Sequence, residues 1–183
     1  ALLVGCPSDD GSAGGESTET TATDGEPRYR LAFDPLVLPT TRSEVTGMHF
    51  LPGKNEFVLL GKSVDMWHYG IEGDTVTELG TVDFSAGTYT DSDCGLISLS
   101  FDPDFDTNRL FYVGRCVSQN DSVIERYVWE DDYAAIPGTA SEVLRLGDPN
   151  ATRPWHNVGS IGFDDQGVMW ALFGEKKVPA NSQ

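Results

Sequence analysis

Three segments of this chain follow one plan: a glycine-led short strand, a turn, and then a fully apolar strand. Residues 46–53 read TGMHFLPG and lead to FVLL at 57–60. Residues 95–103 read GLISLSFDP and lead to LFYV at 110–113. Residues 159–167 read GSIGFDDQG and lead to VMWALF at 168–173. In each unit a phenylalanine closes or nearly closes the first strand. The second strand is continuous rather than alternating, which predicts a strand covered on both faces. Stacked sheets provide that cover. Unit spacings of about 50 to 65 residues suit the blades of a β-propeller with insertions. The stretches 64–69 and 76–82 supply outer strands for the first blade, and 123–129 and 141–146 for the second. The expected fold class is therefore all-β, with two blades and the start of a third. Propellers close with about four to eight blades, so the chain reads as the N-terminal part of a longer propeller.

Helical periodicity is nearly absent. Of the 183 residues, 39% are hydrophobic, enough for a real core. The formal net charge is −17, from 29 acidic and 12 basic residues. Nucleic-acid binding needs clustered Lys and Arg to displace counterions from phosphates. No such cluster occurs, and nucleic acid is excluded as a partner. The acidity reads as solubility in a salty or extracytoplasmic setting.

The first six residues, ALLVGC, carry a small residue before Cys6. LVGC at 3–6 resembles a bacterial lipoprotein box, in which the signal is cleaved before the cysteine and the cysteine is lipidated. Residues 1–6 are then the remnant of a signal peptide. Residues 7–27 are rich in Gly, Ser, Thr, Ala, Asp and Glu, with no aromatic residue. Such a tract buries too little apolar surface to offset its ordering entropy and reads as a disordered tether. The plainer alternative is an arbitrary disordered N-terminus with one stray cysteine. The folded part is expected over 28–183. This organisation implies an exported protein of a bacterial cell envelope, held to the membrane by lipid. No apolar run approaches the roughly 18 residues of a membrane span.

With Cys6 assigned to the anchor, Cys94 and Cys116 remain as a pair. An antiparallel hairpin placing Phe101 near Leu110 brings them within about one residue of register. A disulfide is expected in an oxidising compartment; two buried free thiols are the alternative.

The second and third units also carry a family resemblance. Residues 94–105, CGLISLSFDPDF, resemble the GLLGLAFHPDF segment of the glucose/sorbosone dehydrogenase family, and TNRLFYV at 107–113 continues it. Residues 156–167, HNVGSIGFDDQG, resemble that family's HNGGQLAFGPDG, followed by LFGE at 172–175. The likeness runs from about residue 41 to 183. It implies a six-bladed propeller with PQQ on its axis, calcium holding the cofactor, and oxidation of an aldose at its anomeric carbon. His156 falls on the catalytic histidine, whose implied role is general base toward the anomeric hydroxyl. An imidazole with an ordinary pKa of about 6.5 suits that task. Asp93 stands where the family has Gln or Glu and is expected to accept a hydrogen bond at the cofactor site. Trp155 stands where Asp is frequent; it is expected at the rim of the sugar or cofactor, or in packing. The implied calcium ligands and basic cofactor contacts fall past residue 183, and no metal ligand is assigned within the chain. The electron acceptor is not implied.

His49 and His68 fall in first-blade strands and are read as packing or solvent-facing. Asp102-Pro103-Asp104 is read as turn chemistry rather than a metal site. A second functional class stays open: a non-catalytic propeller of the same family that binds carbohydrate or mediates adhesion.

Overall fold

The computed structural model describes residues 3–5, 34–147 and 157–174. Strand β1 (Leu3–Gly5) pairs antiparallel with β2 (Asp34–Leu36). Then comes a four-stranded antiparallel meander: β3 (Val45–Phe50), β4 (Glu56–Gly61), β5 (Asp65–Glu72) and β6 (Thr75–Asp83). A second meander follows: β7 (Leu96–Phe101), β8 (Leu110–Cys116), β9 (Asp121–Val128) and β10 (Ser141–Gly147). A two-stranded sheet of β11 (Val158–Phe163) and β12 (Met169–Phe173) completes the described part. These are two blades and the first half of a third: nearly all-β, part of a propeller. The remnant cysteine Cys6 and the tether at 7–27 lie outside the described residues.

The continuous apolar strands have the expected cause. In β4, Val58 and Leu60 enter the core between the two blades, while Phe57 and Leu59 enter a cluster on the opposite face. In β8, Phe111 and Val113 face the first blade and Tyr112 packs toward the third. Pleating sends neighbours to opposite faces, so only a strand buried twice needs an unbroken apolar run. Strand β12 departs from this expectation. Met169, Ala171 and Phe173 pack on the second blade, but Trp170 and Leu172 are 65% and 67% exposed. Among the described residues nothing packs on that outer face.

The turns explain the aspartate after the unit's phenylalanine. Asp102 Oδ1 accepts hydrogen bonds from the Asp104 N–H (3.0 Å) and Asn108 Nδ2 (2.8 Å), and its Oδ2 accepts one from the Tyr112 hydroxyl (3.0 Å). Burial works to raise this carboxyl, but these donors hold it below its usual range. Asp164 does the same in the third unit, accepting from the N–H groups of Gln166 (3.0 Å) and Val168 (2.9 Å) and from Trp170 Nε1 (2.9 Å). Turn chemistry is thus the role of both aspartates.

The two blades lock through a buried histidine. His68 of β5 lies between Glu56 Oε2 at 3.1 Å and the Tyr133 hydroxyl at 2.9 Å, with Trp129 edge-on at 4.9 Å. Tyr133 belongs to the second blade and lies against Gly80 of β6, where any Cβ would collide with its ring. Burial pushes the His68 pKa down, Glu56 offsets part of this, and Lys54 adds to the lowering. Neutral His68 then donates from Nε2 to Glu56 and accepts at Nδ1 from Tyr133. Because the folded pKa lies below the unfolded value of about 6.5, stability is complete above that pH. It declines as pH falls toward the folded pKa, by at most about 1.4 kcal/mol per pH unit. Urea midpoints at pH 7.5 and 5.5 should differ less in His68→Gln than in the parent. Equal differences would remove His68 as the cause.

Candidate active-site mouth

The first strands of the three sheets, β3, β7 and β11, line a cavity of about 380 Å³ through Thr46, His49, Ile97, Ser98 and Ser160 among others. Their beginnings lie at one end. Thr46 Oγ1 donates to the Leu96 carbonyl (2.8 Å), joining the start of β3 to the start of β7. His49 is half-buried on this channel, and burial pushes its pKa down. His68 is buried between the blades. Neither histidine is chiefly a solvent-facing group.

A second cavity, of about 300 Å³, opens beside this end, lined by Glu44, Lys62, Ser63, Thr88 and Thr90 among others. Lys62 Nζ donates to the Thr90 carbonyl (3.3 Å). Gly95 explains why glycine leads the second unit. Its φ is +148°, and a Cβ there would run into the Lys62 carbonyl oxygen. Only glycine lets the two blades approach so closely at this point.

The loop joining β6 to β7 is held from below by the end of β8. Arg115 Nη1 donates to Thr88 Oγ1 (2.9 Å) and the Ala86 carbonyl (3.4 Å), and the Tyr89 N–H donates to the Cys116 carbonyl (2.9 Å). Arg115 also makes a two-pronged pair with Glu125: Nε to Oε2 at 2.7 Å and Nη2 to Oε1 at 3.2 Å. Tyr127 donates to Glu125 Oε2 (2.6 Å). Burial works to raise the Glu125 pKa, but Arg115 and Tyr127 hold it below the carboxylate range; burial beside that carboxylate pushes the Tyr127 phenol up.

Cys94 and Cys116 form a disulfide, with Cα atoms 5.4 Å apart. The hairpin register differs from the expected one: Phe101 pairs with Phe111, not Leu110. A β-bulge between Leu96 and Ser98 then shifts the pairing by one residue, so that Leu96 opposes Arg115. The bulge carries Cys94 into reach of Cys116. Replacing both cysteines with alanine is expected to cost about 2–4 kcal/mol, read from urea unfolding of the oxidised protein. Identical midpoints for parent and variant would show that the bridge contributes nothing.

Asp93 sits in the turn before β7 with its carboxylate exposed. Among the described residues it has no hydrogen-bond partner, so it is available to a ligand but not preorganised by neighbours. His156 and Trp155 lie outside the described residues; the chain is described again from Asn157. Asn157 is buried. Its Nδ2 donates to Cys94 Sγ (3.0 Å), its Oδ1 accepts from Ser122 Oγ (3.2 Å), and its carbonyl accepts from the Gly174 N–H (3.0 Å). The residues that directly follow Asp93 and His156 therefore touch. Gly174, at the end of β12, is exposed, and Glu175 lies outside the described part. Sequence reasoning did not single out Arg115, Glu125, Lys62 or Asn157. Asn157 stood inside the quoted HNVGS motif, but a polar side chain next to a candidate base carries no contact information by itself.

Among the described residues, no group of three or more His, Cys, Asp or Glu side chains is placed to hold a metal ion.

A sequence model of the Glucose / Sorbosone dehydrogenase family matches residues 43–183. Among solved structures, the PQQ-bound aldose sugar dehydrogenase from Streptomyces coelicolor matches with a TM-score of 0.60 and 21% identity, over 75% of this chain and 40% of that one. A glucose dehydrogenase matches at 0.63 and 18%, over 74% and 42%. The apo-form soluble aldose sugar dehydrogenase from Escherichia coli matches at 0.57 and 16%, over 72% and 38%. The chain thus spans about two-fifths of the length of these structures. No curated protein matches it. Identities this low establish a shared fold.

Proposed function

The chain belongs to the glucose/sorbosone dehydrogenase family across residues 43–183, and from that membership we propose that the whole protein oxidises an aldose at its anomeric carbon. The observation that supports a site at this mouth is the 3.0 Å contact between Asn157 and Cys94. It brings together the two loops that carry His156 and Asp93.

In this reading His156 takes the proton of the anomeric hydroxyl. A neutral imidazole near pH 7 is matched to that transfer. The exposed Asp93 carboxylate accepts a hydrogen bond from a sugar hydroxyl or the cofactor rim. The Trp155 indole offers an apolar face to the pyranose ring or the cofactor. PQQ, when bound, supplies the two-electron sink for the anomeric hydride. The described mouth fits one end of such a flat polycarboxylate: the Lys62 ammonium and the hydroxyls of Ser63 and Thr88 line one polar cavity. These residues would hold a carboxylate edge. No residue of this part is assigned to calcium.

The test uses the full-length protein with PQQ and calcium added. Aldose-dependent reduction of an artificial dye is the expected outcome. A protein that retains PQQ, or binds sugar, without aldose-dependent reduction would sink the oxidoreductase reading and favour the binding-module alternative.

Export and lipid anchoring are part of the same proposal. The Cys94–Cys116 bridge suits an oxidising compartment, and Cys6 is the acyl acceptor. Membrane fractionation of the full-length precursor should show the parent in the membrane and Cys6→Ser in the soluble fraction. An unchanged distribution would remove the anchor.

A further inference from the structure

The geometry points to Asn157 as a positioning residue for His156, with the Cys94–Cys116 disulfide as the abutment against which it is set. This inference rests on the sugar-dehydrogenase reading and adds a residue to its machinery. Asn157 is 7% exposed. Its three recorded partners come from three places in the fold: the loop before β7 (Cys94), the start of β9 (Ser122), and the end of β12 (Gly174). A buried amide with both ends of its side chain and its own carbonyl engaged has little freedom to shift or rotate. Across a trans peptide the neighbouring Cα lies about 3.8 Å away, so the anchor fixes where the His156 backbone leaves the blade.

The abutment is itself rigid. Cys94 is bridged to Cys116 on β8. Next to Cys116, Arg115 is held by Glu125 and grips the loop that carries Asp93. One strand end therefore references both loops of the mouth to the same frame. A proton acceptor must sit within hydrogen-bond reach of its donor, and a displacement of about 1 Å can cost about 100-fold in rate.

The experiment is a double-mutant cycle on the full-length protein loaded with PQQ and calcium. Single-turnover reduction of bound PQQ by aldose is followed in the parent, Asn157→Ala, His156→Ala and the double variant. Asn157→Ala is expected to slow the step about 10- to 100-fold. The KM for sugar and the affinity for PQQ should stay within about threefold. The double variant should be no slower than His156→Ala alone, because a residue acting through His156 has nothing left to position. Ser122→Ala removes only the Oδ1 partner and should show the same non-additivity with a smaller loss. It carries the cycle if Asn157→Ala does not fold.

If Asn157→Ala slows the His156→Ala background by its full factor, the positioning role is overturned while the function reading stands. If Asn157→Ala matches the parent rate, the role is likewise overturned. If His156→Ala itself matches the parent, or the parent shows no aldose-dependent reduction, the function reading fails and takes this inference with it.

Discussion

The His156→Ala variant of the full-length protein is expected to keep its fold and its PQQ while losing about 10²- to 10⁴-fold in kcat, the usual contribution of a positioned general base. The loss should fall on kcat rather than on KM, because the proton moves only in the transition state. The pH profile gives the sharper reading. A base works deprotonated, so kcat/KM of the parent should fall as pH drops below the pKa of His156, ordinarily about 6.5. The variant should lose this acidic limb. Dye reduction followed from pH 5 to 8 tests both points. A variant as active as the parent, or one that keeps the limb unchanged, would assign the base to another group. Asp93→Asn is a useful contrast. Its carboxylate is exposed, so it should change sugar or cofactor affinity and leave the acidic limb in place.

Breaking the buried pair at the foot of the mouth should give the largest loss of stability. Replacing Glu125 with leucine while Arg115 remains is expected to cost about 3–5 kcal/mol. Arg115 and Glu125 are each 9% exposed, and the guanidinium would be left in the interior without its counter-charge. Folded domains hold only about 5–15 kcal/mol in total, so the variant should unfold at markedly lower urea. The double variant Arg115→Met/Glu125→Leu should recover much of that stability, since a matched apolar pair leaves no buried charge. It should not recover the site. Thr88 and Ala86 lose their donor from Arg115, and the loop carrying Asp93 loses one of its grips. Equal stability of the Glu125→Leu and parent proteins would show that the pair carries no weight. The acid limb has a defined sign. Glu125 lies below its usual range in the folded state, so its contribution is present above about pH 4.5 and is lost as pH falls through the folded value.

How much of this was legible in the chain varies with the kind of contact. The unbroken apolar runs of β4 and β8 report burial on both faces, because a strand's neighbouring side chains point to opposite sides. The Phe-Asp turns were equally readable, since Asp102 and Asp164 bind backbone groups only a few residues away. The run at 168–173 has the same composition and yet leaves Trp170 and Leu172 outside. Whether a face is covered depends on a sheet far away in sequence, which the run does not encode.

The candidate site divides in the same way. Motif resemblance marked His156, Asp93 and Trp155, and cysteine counting marked Cys94 and Cys116. The pairing register was off by one, because the β-bulge beside Leu96 comes from how β7 meets its neighbours. The Arg115–Glu125 pair joins adjacent strands in a register that spacing alone left open. Asn157 reaches Cys94 across 63 positions. From its own sequence the chain determined its strands, its turns and its three-unit plan, all set by side-chain alternation and local hydrogen bonds. The tertiary structure alone decided which loops meet at the mouth and what holds them there, because those contacts join residues distant along the chain and exist only once the blades have packed.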